Sequence, residues 1–365
     1  MPLKIIKAPE TMTSRERVLR TFNYERVDRL TMGYSGNENV NKNLQMALGA
    51  KNFAEVLEMI GVDYYGVEAL YIGPKLFTAP PDRQVHEMEG SVTRWVEHPT
   101  GGYWSRCDFP LKDAADEAFY SYPVPDPNDF DYDTALERAK HLQQQGYAVF
   151  AGKVGIPDII NSNGRIMGME DALCHLQTGY EPAMRLINKR AKSQLGMLER
   201  LLEKCRGYID FVWLGEDMGT QRGPMVSREL YERAMKPIHK SFADLANSYG
   251  LPSMMHTCGS SSWAYEDLIE MGIRGVDSLQ PEAVDMSPEY LIGHFGGRLN
   301  FRSLISTAGP LAYGTPQEVE EICLRTIETM NAYGGYHFAP SQAVQDNTPA
   351  ENLIAMYNAG HGYGR

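Results

Sequence analysis

The chain has 365 residues, 43% hydrophobic and 22% charged, with a formal net charge of −12. This is the composition of a soluble globular protein, and an acidic balance without a basic run or stripe argues against a nucleic-acid partner. The five cysteines, at 107, 174, 205, 258 and 323, are scattered and odd in number, which fits a reducing cytoplasm rather than a disulfide framework.

No stretch approaches 18 consecutive apolar residues, so no membrane span is expected. The start, MPLKIIKAPETMTSRER, lacks the apolar segment of a secretory signal. Thr13 followed by Glu16 predicts a capping box opening the helix SRERVLRTF. A short strand LTMGY (30–34) then runs into Gly-rich SGNENVN. Helix FAEVLEMIG (53–61) leads to a strand over 62–72. Residues 73–125 alternate short β-like runs with PP, TGG and FP turn signals, and are expected to form a small irregular β insertion. PVPDPNDFD (123–131) reads as a linker.

From there strand and helix alternate. Strands are predicted at 147–155, 208–217, 251–259, 275–282, 298–306 and 334–342, separated by helices of about ten residues or more. Ser227 and Thr315 are expected N-caps, and Pro237 should kink the helix that Ser227 opens. About eight strand candidates in βα rhythm predict a (β/α)₈ TIM barrel, with residues 1–365 as one barrel domain carrying the insertion. No G-x-G-x-x-G or P-loop follows the first strand.

Barrel chemistry sits at the C-terminal strand ends. The polar residues there are Asn37, Glu38, Lys153, Glu216, Asp217, His256, Cys258, Gln280, Glu282, Arg302, Ser303, His337, Ser341, Gln342 and Gln345. His256 and Cys258 stand at i and i+2, on one face of a strand and about 6.6 Å apart along it. A strand that curls at its end lets both reach one zinc ion, given a further ligand. The plainer reading is a hydrogen-bonded His and a small apolar Cys finishing a strand. Glu216 and Asp217 are adjacent, so only one can face the interior. That one could ligate a metal or act as an acid or base, or the pair could simply salt-bridge Arg222. Lys153 reads as an anion clamp or a surface lysine. Ser341 and Gln342 read as substrate contacts or loop filler.

Five stretches together carry a resemblance: TSRERVLRTFNYERVDRL, VLEMIGVDYYGV, LGEDMGTQRGPMVSRELYERAMKPIHKSFADLA, MMHTCGS and GGYHFAPSQAVQDNTPAENLIAMY. They resemble the uroporphyrinogen decarboxylase superfamily over nearly the whole chain. The loop after the first strand, GYSGNENVNK, lacks the arginines with which a true uroporphyrinogen decarboxylase clamps its substrate carboxylates. The chain is more similar to the corrinoid-dependent methyltransferase branch.

That resemblance implies transfer of a methyl group between a small methylated substrate and the cobalt of a separate corrinoid-binding protein. A methoxylated aromatic undergoing O-demethylation is one such substrate. It also implies zinc held by His256 and Cys258, and it allows a homodimer. The third ligand of that branch is a Cys near the last strand, where this chain has Ser341 or Gln342; Glu216 or Asp217 is the replacement within reach. Glu216, Asp217 and His256 are then the catalytic candidates, and Lys153, Gln280, Arg302, Ser341 and Gln342 the substrate-binding ones. Two other readings stay open. One is a cofactor-free decarboxylase or lyase using Arg302, Lys153 or Arg222 as anion clamp. The other is a non-catalytic barrel binding a tetrapyrrole or other ligand.

Overall fold

A computed structural model describes residues 3–98 and 101–363. Its centre is an eight-stranded, wholly parallel sheet, of order β1-β8-β7-β6-β5-β4-β3-β2 when the barrel strands are numbered along the chain. They are β1 Thr31–Met32, β2 Tyr64–Val67, β3 Ala148–Pro157, β4 Phe211–Gly215, β5 Ser253–His256, β6 Gly275–Leu279, β7 Asn300–Ser303 and β8 Tyr336–Phe338. Helices separate successive strands on the outside. This is the predicted (β/α)₈ barrel, although most strands are shorter than expected.

β1 and β2 form the seam, and Asp63 closes it. Its N–H donates to Met32 O at 3.0 Å, its own O accepts from Ala148 N at 3.0 Å, and its carboxylate accepts from Met32 N at 2.8 Å. The same carboxylate takes Arg17 Nη1 at 2.6 Å and Arg29 Nη1 at 2.7 Å, and Asp28 holds Arg17 Nε at 2.7 Å. Arg17 comes from the helix Ser14–Phe22, whose Thr13–Glu16 capping box is present as expected. Phe22, at the end of this helix, packs on Phe211 and His337 with centroids 5.3 and 4.9 Å apart, plugging the N-terminal mouth.

The interior is aromatic and unusually polar. Tyr64, Phe150, Phe211 and Trp213 pack together. Arg302 lies among them, its Nε donating to Tyr64 Oη at 2.7 Å and its guanidinium 4.8 Å from the Trp213 ring. Asp277 pairs with Arg302 from β6. Burial, reinforced by Arg302, pushes His337 down to about 3, so it is neutral beside the buried cation.

Between β2 and β3 the strands Gln84–Val85, Val92–His98 and Gly101–Cys107 form a three-stranded antiparallel sheet. The predicted TGG turn signal falls partly on residues 99–100, outside the described residues. Leu70–Tyr71 pairs antiparallel with Phe130–Asp131 where the chain leaves and rejoins the barrel.

Two local expectations change, and a third takes a definite form. The Asn-rich stretch after β1 is a helix, Glu38–Leu48, with Val40, Leu44 and Leu48 on its buried face and Asn37 as N-cap. The predicted strand over 62–72 ends at Val67, with Leu70–Tyr71 a separate element. A π-helical turn, Tyr231–Met235, precedes the helix Lys236–Ser248. The helix that Ser227 opens thus runs without a break from Arg228 to Ser248, and its π-helical turn falls just before Pro237, where the helix was expected to be distorted.

Candidate active site

Inward positions along β4 are Phe211, Trp213 and, by alternation, Gly215 and Asp217. Gly215 is required: a Cβ there would lie 1.8 Å from Val154 O. Asp217 is thus carried over the top of the barrel. Glu216 points the other way, outward, with its side chain fully buried. The loops after β4 and β5 then press together. A Cβ on Gly219 would meet the Ser260 backbone at 2.5 Å, and one on Gly259 would meet Gly219 O at 2.4 Å. Only glycines allow this approach, which brings Asp217 to His256 and Cys258.

The donor atoms of Asp217, His256 and Cys258 all lie within 4.8 Å of one another. His256 Nε2 is 3.5 Å from Asp217 Oδ1 and 3.4 Å from Cys258 Sγ. Its Nδ1 lies 3.4 Å from Asp277 Oδ2. Asp217 is fixed by the Asn161 amide at 2.7 Å and by Cys258 N–H at 3.2 Å. Side-chain exposures of 24% for Asp217 and 14% for His256 leave the cluster reachable from outside.

Burial alone would raise the Asp217 carboxyl. The bonds from His256, Cys258 and Asn161 outweigh it and hold the group well below the usual carboxylate range. Burial would lower His256, but Asp217, Asp277 and Cys258 together hold it well above its ordinary value. Burial also keeps the Cys258 thiol raised, with His256 opposing. The surroundings therefore draw positive charge to this point.

A zinc ion suits these donors: one N, one S and one carboxylate O, the three protein ligands typical of a catalytic zinc. Asp277 behind His256 Nδ1 is the carboxylate that orients a ligating imidazole and leaves Nε2 for the metal.

The other sequence candidates fall around this cluster or away from it. Gln342 Nε2 donates to Cys258 Sγ at 2.9 Å, and Gln280 Oε1 accepts from Gly259 N–H at 2.8 Å. Ser341 is buried and accepts from Thr307 N–H at 3.1 Å, holding the loops after β7 and β8 together. Arg302 is inside the barrel, committed to Asp277 and Tyr64. Ser303 Oγ donates to Asp277 at 3.1 Å. Lys153 follows a bulge in β3 and faces Glu68 at 3.5 Å, away from the cluster. Asn37 and Glu38 begin a helix, with Glu38 pairing Lys42 on the surface. Arg222 is exposed.

Glu216 has a different job. Its two oxygens accept from Ile159 N–H at 2.6 Å and Ile160 N–H at 3.0 Å, at the start of the helix Ile159–Met167. His239 Nε2 sits 3.1 Å away. Burial pushes Glu216 up to about 8, against those amide bonds, and pushes His239 down to about 3. Sequence reading missed Asp277 and Asn161. Asp277 is a carboxylate within an otherwise apolar strand, and that was the available signal.

Asp158 caps the same helix, accepting from Asn161 N–H at 3.2 Å with φ of 41°. Burial, then the nearby Glu216, push its carboxyl from 3.8 up to about 7. A raised carboxyl pKa means that the folded state binds the proton more tightly. The associated stability is full below about pH 4 and is lost as the pH rises through about 7. Asn keeps the cap and tolerates the left-handed backbone. Asp158→Asn should therefore flatten the fall in urea midpoint between about pH 4 and about pH 7.

Together these features define a (β/α)₈ barrel with a polar, metal-competent centre at its C-terminal face. The family model for uroporphyrinogen decarboxylase (URO-D) matches residues 165–363, and the chain belongs to that family. A search of curated protein sequences gives no match. Among solved structures, a methyltransferase from Methanosarcina mazei is similar over 96% of this chain and 99% of that one, with a TM-score of 0.64 at 14% identity. Xylanase 10B from Thermotoga maritima covers 66% of this chain and 82% of its own, with a TM-score of 0.41 at 10% identity. At 14% identity the likeness to the Methanosarcina mazei methyltransferase speaks for the fold alone. No described helix is long and apolar enough to cross a membrane.

Proposed function

We propose that the chain is a methyltransferase that moves a methyl group between a small methylated substrate and the cobalt of a separate corrinoid protein. Zinc would be held by Asp217, His256 and Cys258. The observation that carries this reading is the N/S/O cluster at the mouth of a URO-D-family barrel, braced by Asp277.

Methyl transfer breaks a carbon–heteroatom bond and leaves its electron pair on the heteroatom. That atom needs a positive centre as its charge develops. A zinc ion at the cluster would supply Lewis acidity to the leaving oxygen or sulfur. The chain's own residues set the stage. Asp277 keeps His256 Nε2 turned to the reacting side, Asn161 keeps Asp217 in place, and Gln342 directs a donor at Cys258 Sγ. The anion clamps that a decarboxylase would need are not assembled here, since Arg302 is paired inside, Lys153 faces elsewhere and Arg222 is in solvent.

The test is incubation of the protein with a Co(I) corrinoid and a panel of methyl ethers, thiols and amines, following the Co(I) absorbance. Its disappearance with one donor class supports the reading. Carbon dioxide release from a small carboxylate, with the Co(I) absorbance unchanged, would overturn it.

Of Ser341 and Gln342, the two residues near the place where the resembled branch has its third ligand Cys, Gln342 is the one that reaches Cys258. Gln342→Cys should add a thiolate beside Cys258 and fill the open position. Zinc should then be held on the order of tenfold more tightly, in competition with a chelating dye, while methyl transfer slows.

A further inference from the structure

A cavity lies between the insertion and the helix Glu181–Lys204 and shares no residue with the cluster. Its volume is about 290 Å³, enough for a small molecule. Arg190 stands in its wall, only 8% exposed. Arg190 Nη1 is fully buried and has no hydrogen-bond partner among the described residues. A buried guanidinium is normally paired, because leaving it unpaired costs several kcal/mol.

Arg165 and Lys153 also line the cavity. Arg165 reaches Glu89 at 3.4 Å and Asp158 at 3.5 Å. Glu89 is the one carboxylate in the lining, and it leaves its Oε1 buried and unpartnered. Lys153 is paired with Glu68 at 3.5 Å, so Arg190 is the cation of this wall that is left without a partner among the described residues. The rest of the wall is largely apolar, with Met88, Val124, Ile156 and Met197.

We propose that this cavity is a ligand site for a small organic carboxylate with an apolar body. Arg190 takes the carboxylate through its planar fork. Arg165 and Lys153 add positive charge, and the apolar wall covers the body of the ligand. A hydroxyl on that body would satisfy Glu89 Oε1. This assignment stands apart from the proposed methyl transfer. The two sites are joined only in that the helix Ile159–Met167 supplies Arg165 to one and Asn161 to the other.

Calorimetric titration at constant ionic strength tests it, with benzoate, 4-hydroxybenzoate and inorganic phosphate as probes and chloride as control. Saturable one-to-one binding of a benzoate is expected, weakened about tenfold or more by Arg190→Gln. Lys153→Ala, a change at an exposed position that leaves folding intact, should weaken it about threefold. Arg190→Met should raise the Tm of the unliganded protein and abolish benzoate binding, because it removes a buried charge that lacks a partner. Three results would overturn the proposal: no saturable binding at millimolar concentrations, binding of phosphate alone, or unchanged benzoate binding in the Arg190 variants.

Discussion

Cys258→Ala should yield a folded protein that retains little zinc and transfers methyl groups on the order of 10³-fold more slowly. The magnitude follows from the several kcal/mol that a metal contributes to charge stabilisation in a transition state. Cys258 is half-buried at a loop, so its loss creates no large core cavity, and stability should change little. The decisive comparison is with Ser341→Ala, because Ser341 lies in the neighbouring loop but makes no contact with the cluster's donor atoms. That variant should keep both zinc and most of the activity. Metal content by mass spectrometry and the Co(I) assay read the two quantities separately.

Asp63→Ala should cost about 3–5 kcal/mol of stability, the usual penalty for breaking a buried ion pair from one side. Here the penalty has a definite source. Arg17 and Arg29 are buried and share this carboxylate, and the N–H of Met32 also donates to it. Removing it takes from both buried arginines the one fully buried carboxylate they share, leaving Arg17 to Asp28 and Arg29 to the half-exposed Glu10, and strips the Met32 N–H of its acceptor. Urea denaturation should show a clearly lower midpoint with an unchanged slope. Zinc content, measured well below the denaturation midpoint, should be unaffected, since the seam lies at the opposite end of the barrel from the cluster.

The barrel was legible because its signals are local and repeated. Capping residues such as Thr13, Ser227 and Thr315 mark helix starts, and apolar runs of strand length fall between the helices. Boundaries were less legible where backbone conformation breaks a strand without a Gly or Pro to announce it. β6 ends near Ser278, which has φ of 61°, so sequence reading ran on to Gln280 and Glu282 and passed over Asp277. The helix Glu38–Leu48 was hidden by its three asparagines and the Asn37 cap before them, although its apolar spacing of four was present.

The site was half legible for a related reason. Strands of a parallel barrel are apolar on both faces, so FVWL does not say whether Glu216 or Asp217 turns inward. The register of β4 against β3 and β5 decides it, and register is a property of the assembled sheet. Likewise, nothing local links Gln342 to Cys258, 84 residues earlier; the closure of the barrel brings them to 2.9 Å. Motif spacing found the pair His256 and Cys258. The sequence left Glu216 and Asp217 open as the third donor; the fold brings Asp217, not Glu216, to that pair and adds Asp277 as the brace.

X-ray absorption at the zinc edge of the purified protein is the most direct test of this centre. One zinc per chain is expected, with a single sulfur at about 2.3 Å and the remaining ligands N or O at about 2.0–2.2 Å. That sulfur should vanish in Cys258→Ala. A fully active protein without zinc, or a zinc site with no sulfur ligand, would contradict it.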